Sequence, residues 1–324
     1  MFGAAAARAR SEVFNELASL TKAGISIGHA LGALGEDMSG RPLGRTLVRM
    51  GRQVSGGDPL ATAMRDEGDA FMPLTIAMIQ VGEEGGRLEE ALRSVAEYHE
   101  RDCELRHLLT RELAYPMVLV AALILIPAIT QFVIVWLTAD VGSAIAAALV
   151  RGLVTLLIIG VPVGIVALIL RTLSRTEFGR QRLDAIKLRI PVAGGVIRRV
   201  VMARLLRALA SLYSAGVLMG TSLRLAAQAC GNAVVEAELE RSADKLDAGA
   251  RLSEALAESP HVPKTVLRMI RTGEDTGEVD RMASNVAEHY EMETQTAIKQ
   301  AAVTITPIMV VLIAVIVGVM YIGG

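Results

Sequence analysis

MIQVGEEGGRLEEALRSVAEYHE, residues 78–100, returns as MIRTGEDTGEVDRMASNVAEHYE, residues 269–291. Met78/Met269, Ile79/Ile270, Gly82/Gly273, Glu83/Glu274, Gly86/Gly277, Val95/Val286, Ala96/Ala287, Glu97/Glu288 and Glu100/Glu291 fall at one constant offset. Both copies continue without a gap to a proline, Pro116 and Pro307, and an uncharged apolar run. A helical module that feeds into an apolar segment has been duplicated.

Further upstream, Leu17-Ala-Ser-Leu20, Ala23-Gly24, Gly28 and Leu31 recur as Leu209-Ala-Ser-Leu212, Ala215-Gly216, Gly220 and Leu223. Their offset differs by one residue, so the duplication spans the whole unit with one small indel. Helical periodicity starts near Ser11, and Gly24 breaks or bends it. A helix over Leu43 to Val54 ends at Gly56-Gly57. Asp58 then reads as an N-cap with Pro59 at the first helical position. Met72-Pro73 and Val262-Pro263 open the helices that lead to the glycine-glutamate turns. After the turn, Leu88, Ala91, Leu92, Val95 and Tyr98 form one apolar stripe, repeated by Val279, Met282, Ala283, Val286 and His289; the spacing is that of an amphipathic helix within a bundle.

The chain has 324 residues, 52% of them hydrophobic, with a mean hydropathy of +0.45. Apolar residues concentrate in three uncharged runs, 113–137, 152–170 and 301–322, each long enough to cross a bilayer. Arg171, Arg175, Arg180, Arg182, Lys187 and Arg189 follow the second run, whereas the 138–151 connection is nearly neutral. The positive-inside rule therefore predicts both repeats and the N-terminus on the cytoplasmic side and the C-terminus outside. No secretory leader is evident, so insertion is expected to use these internal runs. The expected fold is all-α: a first cytoplasmic helical-bundle domain (1–112), transmembrane helix (113–137), short periplasmic loop (138–151), transmembrane helix (152–170), basic cytoplasmic linker (171–200), second homologous domain (201–300) and transmembrane helix (301–322).

Composition and motifs exclude several function classes. A net charge of -1 offers no bulk attraction for nucleic acid. The two cysteines, Cys103 and Cys230, make no disulfide framework. None of the five lysines follows a glycine, so no P-loop is present and nucleotide hydrolysis would come from another subunit. Gly24-Ile-Ser-Ile-Gly28 matches the nucleophile-elbow pattern, but in a helical module and with Leu218 in place of Ser26 in the second copy, which argues against catalysis. His99, Cys103 and His107 stand at i, i+4, i+8, but two helical turns spread the outer pair too far for one zinc ion; they read as a polar helix flank. No Asp, Glu, Lys, Arg or His lies inside the three runs, which counts against the alternative of a small membrane transporter or channel.

Glu83 and Glu274 draw the eye as a site. Their presence in both copies favours structure: each carboxylate is expected to accept backbone N–H bonds at the start of the following helix, with Gly82, Gly86, Gly273 and Gly277 shaping the turn. Pro116 and Pro307 are expected to start the transmembrane helices, where a missing N–H costs little.

With these residues in view, the chain resembles the type II secretion system F / type IV pilus platform proteins of the bacterial inner membrane. Leu-Ala-Ser-Leu-Thr-Lys-Ala-Gly (17–24), Gly-Gly-Asp-Pro-Leu (56–60), Phe-Met-Pro (71–73), Gly-Glu-x-x-Gly-x-Leu (82–88) and Tyr-Pro (115–116) carry the resemblance. It implies a non-enzymatic platform coupling a hexameric cytoplasmic assembly ATPase to polymerisation of pilin-like or pseudopilin subunits. Other inner-membrane assembly proteins, membrane lipid and further copies of the chain are the implied partners. Some relatives bind calcium through acids at the glycine-glutamate turn. Glu83 matches one such ligand, and it is the sole residue on which a metal assignment would rest. His29 and Arg87 stand where acidic partners are expected, which counts against calcium, and no cofactor is expected. The basic linker has two readings, ATPase contact or anionic lipid contact.

Overall fold

The computed structural model describes residues 4–138, 177–190 and 193–322. The described residues are helical with turns between them. The first repeat comprises α1 (Ala4–Lys22), α2 (Ile27–Asp37), α3 (Pro42–Ser55), α4 (Leu60–Asp66), a 3-10 turn (Gly68–Ala70), α5 (Pro73–Glu84) and α6 (Leu88–Thr138). A separate helix, α7 (Glu177–Arg189), precedes the second repeat. That repeat runs α8 (Ala193–Ser214), α9 (Met219–Ala229), α10 (Ala233–Asp247), α11 (Leu252–Ala257), α12 (Lys264–Thr276) and α13 (Val279–Ile322). The order of α-helices is the same in the two copies; the 3-10 turn belongs to the first.

Glycines at matching turns take the left-handed backbone: Gly24 and Gly216, Gly57 and Gly249, Gly86 and Gly277 all have φ between 66° and 104°. A side chain there would be strained, so these turns explain why glycine recurs at the same places.

The chain divides into two compact units. The first holds residues 1–107 and 197–295, hence the bundled parts of both repeats. Its buried side chains form one cluster to which both contribute, from Phe14, Leu31, Met64 and Leu92 to Leu206, Leu223, Leu256 and Val286. The second unit holds residues 108–196 and 296–324.

In the first repeat, α2 and α3 pack through glycines. A Cβ on Gly51 would lie 2.9 Å from the backbone nitrogen of Gly32 and 3.0 Å from the carbonyl oxygen of Gly28; one on Gly44 would lie 2.4 Å from that of Met38. In the matching pair of the second repeat, α9 and α10, Gly220 is the one glycine and keeps this tightness. A Cβ there would meet Asp247, just as one on Gly28 would meet Ser55.

Several expectations are corrected. Asp58 is not a cap: Pro59 takes the N-cap position of α4, with no side-chain hydrogen bond of its own. Pro116 and Pro307 do not start helices, because α6 and α13 are already helical from Leu88 and Val279. The apolar stripe of α13 ends on buried Tyr290, while His289 is exposed. His99 is no polar flank; it lies in the core. Among the described residues no helix is long and apolar enough to cross a membrane. The run 152–170 and the 138–151 connection beyond Thr138 lie outside the described residues, as do most side chains of 113–137 and 301–322.

Candidate functional site: a repeated carboxylate clamp and the junction of the repeats

The motif Gly-Glu-x-x-Gly gives each residue a separate task. Gly82 lets α5 approach α6, since a Cβ would sit 2.2 Å from the Cβ of Ala91. Gly273 does the same against Met282, at 2.8 Å. Gly86 and Gly277 reverse the chain at φ 66° and 75°. The returning N–H groups of Arg87 and Glu278 donate to the carbonyls of Gly82 and Gly273, at 2.7 and 2.8 Å. These bonds satisfy helix-end carbonyls that would otherwise be orphaned.

Between the glycines, the glutamate reaches backwards. Glu83 accepts from the backbone N–H groups of Leu60 (2.7 Å) and Ala61 (3.1 Å), the first residues of α4. Glu274 accepts from Leu252 (2.6 Å) and Ser253 (3.3 Å), the first residues of α11. Each carboxylate therefore clamps the short helix that precedes its own helix, not the one that follows. The cause is local. Pro59 and Arg251 provide no side-chain cap at these helix starts, so the free N–H groups draw a carboxylate from elsewhere, and a negative charge is favoured there. In the second copy Arg251 adds a cation to the clamp, 3.5 Å from Glu274 and paired with Asp275. That pairing raises the Arg251 pKa, through the Asp275 hydrogen bond first.

One part of the junction of the repeats is polar, and the repeated motifs alone do not reveal it. Arg207 of α8 and Glu291 of α13 form a two-pronged pair, both contacts 2.7 Å, with side chains only 15% and 9% exposed. Arg204 of α8 faces Asp102 of α6 at 3.2 Å, an ion pair linking the copies rather than a hydrogen bond. Asp102 also accepts from Arg106 at 2.6 Å. Arg204, Arg207, Glu291, Asp102 and Tyr98 line a cavity of about 10 Å³, the size of a single water. Burial pushes the Tyr98 hydroxyl above its ordinary range.

Near this junction His99 stacks on Phe14, ring centres 5.7 Å apart, and its Nε2 lies 3.2 Å from the Thr75 hydroxyl. Burial, helped by the Arg10 charge, pushes its pKa down to about 4. Cys103 is also buried, whereas His107 is exposed. Ser26 is an exposed N-cap residue of α2. In the second repeat the Ser259 hydroxyl donates to Glu238 at 2.7 Å, and His261 Nδ1 lies 2.9 Å from the same oxygen. The serine faces the acid rather than the imidazole, so this is a packing cluster and not an activated nucleophile.

Among the described residues no group of three or more His, Cys, Asp or Glu side chains is placed to hold a metal ion. Sequence reading missed the Arg207–Glu291 pair and Asp102–Arg204. The one available signal was an arginine two residues before the Leu209-Ala-Ser-Leu repeat, on the apolar face of α8.

A sequence model of the family described as type II secretion system (T2SS), protein F, matches residues 13–135 and residues 205–324. The chain belongs to this family. The match falls separately on each repeat. The type IV pilus assembly protein PilC of Thermus thermophilus is 31% identical over 323 residues, covering 95% of this chain and 79% of that protein. The type II secretion system protein F of Xanthomonas campestris pv. campestris is 30% identical over 306 residues, covering 91% and 75%. PilC of Pseudomonas aeruginosa is 26% identical over 318 residues, covering 94% and 84%. The repeated clamp described above is therefore the Gly-Glu-x-x-Gly element of a protein F family member.

Proposed function

We propose that the chain is the inner-membrane platform of a type II secretion or type IV pilus machine, and that it couples a cytoplasmic assembly ATPase to polymerisation of pilin-like subunits. The observation that carries the reading is the double match: two copies of one bundle, each leading without a helix break into a long uncharged run. The three runs 113–137, 152–170 and 301–322 then cross the membrane, with both repeats in the cytoplasm and the C-terminus outside. The part it plays is mechanical rather than enzymatic. Force from the ATPase enters the bundle, and the membrane helices pass displacement to the pilin-like subunit.

Glu83 serves this role as a structural clamp rather than a calcium ligand. Both of its oxygens accept backbone N–H groups, and Arg87 stands nearby where a further acid would be needed.

Two measurements test the reading. Accessibility labelling in intact cells should leave single cysteines in both repeats protected from a membrane-impermeant reagent and should expose one at Gly142. Repeats found on opposite sides would sink the topology and with it the shared mechanical unit. Co-purification of the assembly ATPase with the full chain should survive detergent extraction; its consistent absence, with pilin-like subunits still bound, would remove the coupling role.

A further inference from the structure

The exposed face of α7 has an order that the platform role does not use. Leu183, Ile186 and Ile190 recur at i, i+3 and i+7, so they stand in one row. Ile186 is 59% exposed and Ile190, just past the helix end, 44%. Arg182 and Arg189 lie along one edge of this row and Lys187 along the other; all three are exposed. The opposite side carries Asp184 and Leu188, both buried, so α7 is held to its own unit by that side. Lys187 Nζ contacts Asp184 at 2.8 Å but leaves half its side chain in solvent.

We infer that α7 lies flat on the cytoplasmic surface of an anionic bilayer, with Leu183, Ile186 and Ile190 inserted among the upper acyl carbons and Arg182, Lys187 and Arg189 reaching the phosphates. This inference rests on the membrane reading above. The physical argument is the pairing of two features. Large apolar side chains left in water cost free energy in proportion to their area. Cations bordering them on both sides match a surface of negative headgroups rather than a neutral protein groove. Long basic side chains can also keep their charge at the phosphate level while their stems follow the isoleucines down. Position in the chain agrees: α7 begins seven residues after the uncharged run 152–170, within reach of the surface where that run would emerge. The same face offered to the ATPase is the rival, and it makes a different prediction.

The test uses the full chain reconstituted into vesicles, with an environment-sensitive fluorophore on a single introduced cysteine and Cys103 and Cys230 replaced by serine. Labels go at Ile186, at Gln181, which is exposed but on the opposite side of α7 from the isoleucine row, and at Ile124 inside the first apolar run as a control. Vesicles contain either phosphatidylcholine alone or phosphatidylcholine with phosphatidylglycerol, and acyl-brominated lipid is the quencher. The 186 label should be quenched in anionic vesicles far more than in neutral ones, and the 181 label in neither. Changing Arg182, Lys187 and Arg189 to glutamine should weaken the association about fivefold per charge removed. If the 124 label is quenched but the 186 label stays in water with anionic lipid, the stripe belongs to a protein partner and the inference is overturned. If the 124 label is not quenched either, the membrane reading has failed and takes this inference with it.

Discussion

The two repeats share a helix order but differ in what they bury. Both keep the glycine-glutamate clamp, with its donors on the first turn of the preceding short helix. Elsewhere they have parted. The first repeat joins α2 to α3 through glycines; the second fills the same space with larger side chains and ties Arg224 to Asp244 and Asp247 at its rim. The first buries His99, while the second places Tyr290 there. Glu100 is exposed, while its counterpart Glu291 is buried against Arg207. Backbone-directed contacts persist because either copy needs them to make the turn. Side chain-to-side chain packing drifts because one solution can replace another of equal volume.

Each repeat contains one buried thiol, Cys103 in the first and Cys230 in the second. Rates of thiol labelling in the detergent-solubilised chain, with the other cysteine replaced, therefore report the opening of each copy. The largest expected contrast is at the paired glutamates. Glu291→Ala strands a buried guanidinium and should cost about 3 kcal/mol, speeding labelling of Cys230, whereas Glu100→Ala should stay within about 0.5 kcal/mol. Equal effects would mean that burial of the Arg207 pair does not distinguish the copies.

Next comes the helix pair. Gly51→Ala pushes a methyl group into the backbone of α2 and should cost about 2 kcal/mol at Cys103. Counting back from Ser55 and Asp247, which face Gly28 and Gly220 alike, the second copy already has Ala243 at this place. Ala243→Gly should cost about 1 kcal/mol, from helix propensity and a small void. A neutral Gly51→Ala would show that α2 and α3 do not need their close approach.

The clamp should behave alike in both copies. Glu83→Ala and Glu274→Ala each free two helix-start N–H groups and should cost between about 1 and 2 kcal/mol, read at Cys103 and Cys230 respectively. Calcium should leave either wild-type rate unchanged. Protection of Cys103 that depends on calcium would restore the metal reading of Glu83.

The smallest contrast is in acid. His99 is buried with its pKa near 4, below its ordinary value, so the unfolded chain takes up the proton first. Its contribution is complete well above about pH 6.5 and is lost as pH falls towards 4, the loss reaching about 1 kcal/mol near pH 5.8. His99→Gln should flatten this slope in the Cys103 rate, while Tyr290→Phe should leave the acid response of Cys230 unchanged.

The order of helices was legible because duplication shows itself as matching letters, and because glycine at Gly24, Gly57 and Gly86 marks turns that no other residue enters cheaply. The clamp was half legible. Its carboxylates stood out, but their donors lie 22 and 23 residues upstream, and no local rule points that far. Asp58 looked like the cap because it is adjacent, yet adjacency gave way to a better-placed acid. His99 extends the spacing of Leu88, Leu92 and Val95, so periodicity placed it on the core side; its polarity suggested otherwise. Pro116 and Pro307 were misjudged because a helix already formed on both sides can carry a proline with the loss of one hydrogen bond. The Arg207–Glu291 pair spans 84 residues and left no mark in spacing.

The core joins Phe14, Leu92, Leu206 and Val286 in one cluster, so neither copy closes its own apolar interior. A chain cut between the copies would leave half of that interior wet, and two such halves would seek each other. In the present molecule one chain supplies both halves of that interior, and the linker keeps them in each other's reach.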